Sequence, residues 1–258
     1  MSGLKYILLF LFVMSSLCLA GTDTITVDTT FTFDKCNYLE FTLMGDGTNY
    51  GSDDYMYCGV RQTNRECVPL MGLVDGTVVD NLSSSYTILG DTCIACTLYY
   101  RVAQEQFDAG ETVDIKPVKQ ESWTEDGSCW AKYDGSNAWG TAGAKSSGTD
   151  YHAWGGVNAD GNGVGDIKVG LKDVGDSICA GGGYSFDGLL MFHNGADNAD
   201  TIKIRSDDGA QSAYYPTLQV IFEKITVTGD EDIVNARHTP AKVGIRHSPE
   251  GCSKRHGP

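Results

Sequence analysis

The chain has 258 residues, 41% of them hydrophobic, and carries 34 acidic against 19 basic side chains for a formal charge of −15. That balance argues against a nucleic-acid binder, because neutralising phosphates takes clustered Lys and Arg. It also opposes polyanionic glycans unless a bound cation or a local basic patch reverses the field.

Residues 1–20 read as a secretory signal peptide. Lys5 supplies the positive start, Tyr6 to Met14 is a short apolar run, and Cys18-Leu19-Ala20 offers a small-residue cleavage site before Gly21. No later segment approaches the ~20 apolar residues of a membrane span. The expectation is a secreted, extracellular chain, with 21–228 forming one β-sandwich domain large enough to bury a sizeable core.

Strand periodicity dominates that body. Leu39, Phe41 and Leu43 alternate with Glu40 and Thr42; Val113 and Ile115 alternate with Asp114 and Lys116; Leu218, Val220 and Phe222 alternate with Gln219 and Glu223. Each run puts apolar side chains on one face of a pleated strand. Asp-Gly pairs at 46–47, 75–76, 126–127, 134–135 and 187–188 suit turns that need positive φ. The spacing predicts an all-β fold, an antiparallel sandwich or jelly roll stapled by disulfides. One short helix is expected where Leu171, Val174 and Ile178 fall at i, i+3 and i+7.

Removal of the leader leaves Cys36, Cys58, Cys67, Cys93, Cys96, Cys129, Cys179 and Cys252. An even number in an exported chain predicts disulfides, with the connectivity open. Cys93-Ile94-Ala95-Cys96 has the spacing of a redox or zinc pair, but no second such pair completes a zinc site. Asn81-Leu82-Ser83 is a sequon that a eukaryotic secretory pathway would glycosylate.

Hard-cation ligands are offered by Asn158 to Asp166. Asp160, Asn162 and Asp166 are spaced roughly as in a looping Ca²⁺ site. Val164 occupies a ligand position and Leu171 stands where the terminal Glu belongs. An ordinary polar loop and a calcium site completed by distant residues are the two readings. Asp197, Asp200, Asp207 and Asp208 form a second acidic cluster that reads as solvated surface, with a calcium site completed by distant residues as the alternative. Residues 229–258 end the chain as a basic tail, with Arg237, Lys242, Arg246, Lys254 and Arg255 concentrated after 233. It reads as a solvated extension or as an arm that docks on a neighbouring subunit.

The tryptophans carry the functional question. Trp123, Trp130 and Trp139 are separated by Gly, Asp, Ser and Asn rather than by helix formers. Such a residue can seal the end of a sheet, or stand at a loop edge as a flat apolar plate with a polar N–H. Trp123 and Trp130 are the core candidates. Trp139, Trp154 and Tyr133 are the candidates for stacking against a sugar ring, with Asp134, Asn137 and Asp150 near enough in sequence to bind hydroxyls.

Trp123-Thr124-Glu125, Cys129-Trp130 and Trp139-Gly140-Thr141-Ala142-Gly143 together resemble the signature of the DNRLRE (disaggregatase-related) domains. Asn49-Tyr50-Gly51, Leu70 to Asp75, Thr97 to Val102, Gly188 to Phe192, Ile204-Arg205-Ser206 and Pro216 to Val220 resemble other segments of that family, in its order. Cys129 stands where the family usually has Thr, Ala131-Lys132 where it has an Asn pair, and Ala142 where it has Pro. The resemblance implies an extracellular β-sandwich related to carbohydrate-binding modules.

The sequence therefore favours a non-catalytic domain that binds a polysaccharide or mediates attachment. The rival is a structural subunit of an extracellular filament, sheath or coat, self-associating into a polymer through its terminal arms. A polysaccharide lyase using His152 or His193 as base is the enzymatic alternative. No cofactor is implied other than calcium.

Overall fold

A computed structural model describes residues 21–228 apart from 42–46, 62–64, 74–76, 81, 83–85, 87, 89–92, 109, 161–162, 182–183 and 196–199. The expected signal peptide, Asn81, Asn162, Asp197 and the basic tail with Cys252 lie outside the described residues. Thr24–Thr226 form one compact unit; of the other, Met1–Asp23 with Val227–Pro258, only 21–23 and 227–228 are described.

Among the described residues eleven strands form: β1 (Gly21–Thr32), β2 (Lys35–Glu40), β3 (Tyr55–Arg61), β4 (Arg65–Gly72), β5 (Ala95–Glu105), β6 (Thr112–Pro117), β7 (Val157–Asp160), β8 (Gly165–Gly170), β9 (Leu189–Asn194), β10 (Thr201–Arg205) and β11 (Thr217–Thr228). They join in the order β1-β11-β5-β10-β3-β4-β9-β6-β7, with β2 added to β4 and β8 to β5. The sheet is antiparallel and curls on itself in a half-barrel, so the chain is all-β as its alternation predicts.

The alternation places the core. Cys96, Leu98, Tyr100 and Val102 of β5 are buried, as are Ile202 and Ile204 of β10, Val113 and Ile115 of β6, and Leu218, Val220 and Phe222 of β11. They belong to one main cluster. At roughly 1.5–3 kcal/mol for each large apolar side chain buried, this cluster is the chief source of stability. The predicted helix is present as α1 (Lys172–Ala180), which buries Val174 and Ile178 with Gly175 and Cys179. Gly175 faces Cys93 and Cys96, where a Cβ would collide with both side chains.

β2 departs from half-burial. Cys36 to Glu40 are all buried, because a second cluster covers the strand's other face. On β4 the alternation separates the two clusters: Cys67 and Met71 belong to the main core, Val68 and Leu70 to the second.

The disulfide framework is corrected. Cys36, Cys58, Cys67, Cys93, Cys96, Cys129 and Cys179 are free and buried, with no two at bonding distance. All but Cys129 pack as small hydrophobes in the main cluster, where Cys93 and Cys96 meet at Gly175. Burial raises the thiol pKa values of Cys36, Cys58 and Cys67, and takes Cys96 to about 12. Cys93 is the exception, lowered by a hydrogen bond with the Cys179 side chain.

Candidate functional site

The long excursion between β6 and β7 builds the second cluster. Trp123, Trp130 and Trp139 pack with Leu39, Val68, Leu70 and Leu190 on the outer face of β2, β4 and β9. Each indole is pinned as well as packed. Trp123 Nε1 donates to the Asp187 carbonyl at 2.6 Å, and the Lys35 ammonium sits 3.9 Å from its ring. Trp139 Nε1 donates to the Cys129 carbonyl at 2.9 Å. Gly143, at φ 77°, lies directly against the Trp130 ring.

Several predicted sugar contacts are structural instead. Trp139 is only 5% exposed, so neither of its faces is open to a ligand. Asp150 is fully buried, and its carboxylate accepts the backbone N–H groups of Gly140 at 2.6 Å, Thr141 at 3.0 Å and Ser146 at 2.9 Å. It organises the loop by satisfying orphan donors. Tyr133 packs against Trp139 with ring centroids 5.6 Å apart. Asp134 and Asn137 bond one another, Asn137 Nδ2 donating to Asp134 Oδ2 at 2.7 Å in an exposed turn. As expected, Trp123 and Trp130 are core residues, 2% and 6% exposed.

One tryptophan remains open. Trp154 is 39% exposed and stands beside His152 and Tyr184, with ring centroids 4.9 Å and 5.1 Å away. His152 and Tyr184 are themselves 5.4 Å apart in an edge-on contact, closing a three-ring cluster. The loop is anchored where His152 N–H donates to the Pro117 carbonyl at 2.9 Å, and where Gly155, at φ 75°, rests on Pro117 and Val174. The Tyr184 hydroxyl is buried and makes no hydrogen bond among the described residues. Burial and the nearby Asp187 and Asp80 hold its pKa well above the usual phenol range. His152 is lowered, first by burial and then by Lys119, which favours a neutral imidazole able to donate and accept.

No protein-family model and no curated protein matches the chain.

The Asp207-Asp208 pair of the acidic cluster meets Glu125, which the sequence did not join to it. Glu125, Asp207 and Asp208 place carboxylate oxygens within 4.8 Å of one another. Glu125 Oε1 also accepts the Cys36 N–H at 2.6 Å. Burial, with the charges of Asp207, Asp208 and Asp126, pushes Glu125 up to about 7. Three carboxylates so crowded offer oxygen ligands to a hard divalent cation. Of the calcium residues predicted in the 158–166 loop, Asp166 accepts from Arg101 Nη1 at 2.9 Å, and the side chains of Asp160 and Asn162 lie outside the described residues. His193 is almost buried, 3.3 Å from Glu111 and packed on Phe107, a structural pairing.

Tyr184 carried no sequence signal as a site residue. It follows a run of glycines far from Trp154 in the chain, and only the packing of its segment near α1 brings it beside the indole. Glu125 and the Asp207-Asp208 pair are likewise joined only by the fold.

Proposed function

We propose that the chain is a secreted, non-catalytic β-sandwich domain that binds carbohydrate, or mediates attachment through it, with Trp154 as the stacking platform. The observation that carries this reading is the three-ring cluster, in which one indole is left open beside His152 and the ring of Tyr184. A pyranose ring presents a C–H face that stacks on a flat apolar ring, while polar groups at the rim take its hydroxyls. The His152 imidazole is the rim group here, and the Tyr184 ring supports the indole edge-on with its hydroxyl buried beneath. The family resemblance and the signal-like leader support an extracellular setting.

Screening the full chain and its Trp154→Ala variant on an array of unsulfated glycans, followed by calorimetry on the best ligand, tests the reading. The variant is expected to lose on the order of tenfold in affinity, about 1.4 kcal/mol, with its melting temperature little changed. Equal binding by both proteins would remove Trp154 from the site, and the absence of any glycan ligand would remove the function.

A further inference from the structure

The outer face of β3, β10, β5 and β8 concentrates cations in an otherwise acidic chain. Lys203 stands opposite Tyr57 and Arg205 opposite Tyr55 where β10 pairs with β3. Tyr99 stands opposite Lys168, and Arg101 opposite Asp166, where β5 pairs with β8. The residues between them, Met56, Cys58, Leu98, Ile202 and Ile204, are buried. A side-chain period of two therefore turns Tyr55, Tyr99 and the cations away from these residues, while Tyr57 packs at the margin of the core beside Tyr38.

These cations rest on aromatic rings. Lys203 Nζ lies 3.8 Å from the Tyr55 centroid and Arg205 Cζ 4.3 Å from the same ring. Arg61 Cζ is 4.2 Å from the Tyr57 centroid, and Lys168 Nζ is 5.2 Å from that of Tyr99. Arg101 has a carboxylate partner in Asp166, whereas Arg61, Lys168, Lys203 and Arg205 make no ion pair among the described residues. Arg205 Nε is buried with no hydrogen-bond partner among them. With 34 acidic side chains against 19 basic ones, four cations without carboxylates on one sheet face are a pronounced segregation of charge.

We propose that this face binds a highly sulfated polysaccharide. The tyrosines hold the ammonium and guanidinium groups in place. Arg61 Nη1 also donates to the Tyr38 hydroxyl at 3.4 Å, which leaves its other donors to reach an anion. Because the rings are already covered by the protein's own cations, recognition here is by charge and not by stacking. That separates the face from a surface for single-stranded nucleic acid, where bases stack on open aromatic rings. High charge density in the ligand follows from the formal charge of −15. The patch dominates only within about a Debye length, ~10 Å at 0.1 M salt. A sparsely charged polymer would gain little there and meet the repulsion of the rest of the molecule. The face shares no residue with the Trp154 cluster, so the two inferences stand or fall separately.

The test is titration of the full chain with heparin, with hyaluronan, which carries carboxylates but no sulfates, and with a single-stranded DNA oligonucleotide, between about 50 and 200 mM salt. Heparin is expected to bind, with affinity falling steeply as salt rises. The Arg61→Gln/Lys168→Gln/Lys203→Gln variant is expected to bind at least tenfold more weakly and to lose about one unit of salt slope per cation removed. Trp154→Ala should leave heparin binding unchanged. Lys168→Glu, at an exposed strand position, should by itself weaken binding severalfold, which keeps the test decisive if the triple variant melts early. Unchanged heparin affinity in these variants would overturn the proposal. So would hyaluronan or DNA binding as tightly as heparin.

Discussion

Glu125 illustrates how one side chain reports on its surroundings. Its ordinary pKa of 4.5 rises to about 7 because the carboxylate is half-buried among other acids. The folded chain then holds a proton more tightly than the unfolded chain between those values, so stability is lost as pH rises from about 4.5 to 7. Asp187, raised by burial to about 6, acts in the same direction. His152 acts oppositely: its pKa is lowered in the fold, so the unfolded chain takes up that proton first and acid below about 6.5 works against folding. Glu125→Gln keeps an acceptor for the Cys36 N–H and removes the charge. It is expected to raise the melting temperature at pH 8 and leave it almost unchanged at pH 4. Thermal melts across that range check this, and a lower melting temperature at pH 8 would mean that the charge is held by a favourable partner. None of this was legible in the sequence, where Glu125 and Asp207 belong to unrelated segments.

At the scale of elements, local periodicity was read well and tertiary cover was not. The apolar spacing of Leu171, Val174 and Ile178 is a property of neighbouring residues, and α1 forms there with Val174 and Ile178 buried. The alternation of β5, β6 and β11 likewise predicts which side chains enter the core. Leu39 and Glu40 look like the two faces of a half-exposed strand, yet both are buried: the tryptophan-bearing excursion covers Leu39, and Glu40 shares the opposite face with Cys36 and Tyr38 of the main core. The same closure takes Trp139 out of the set of sugar platforms. Gly143 is the position on which the excursion depends most visibly, since a Cβ there would press into the Trp130 ring and φ is 77°. Gly143→Ala is expected to cost about 1–3 kcal/mol, from backbone strain and a displaced indole. Chemical denaturation with near-ultraviolet circular dichroism checks it; a stability equal to wild type would show that Trp130 can move aside freely.

Across the whole molecule, alternation and turn spacing predicted the fold class, while the cysteine count misled. An even cysteine count in an exported chain points to disulfides, but the seven described cysteines are buried free thiols. Their positions depend on which strands pair, and cysteine count contains no information on that. Net charge averages a face bearing Arg61, Lys168, Lys203 and Arg205 with a cluster where Glu125, Asp207 and Asp208 crowd, so it left a local basic patch open without placing it. Only the register of β10 on β3 and of β8 on β5 brings those cations together.

The central claim is that an extracellular β-rich scaffold leaves one indole open for a sugar. Acrylamide quenching of tryptophan fluorescence, with and without the best glycan from the array, tests it most directly. Three tryptophans are buried and Trp154 alone is exposed, so one accessible emitter is expected. The account predicts that saturating glycan shields that emitter and that Trp154→Ala abolishes both the accessible fraction and the shielding. Glycan binding that leaves quenching unchanged would place the ligand elsewhere and contradict the account.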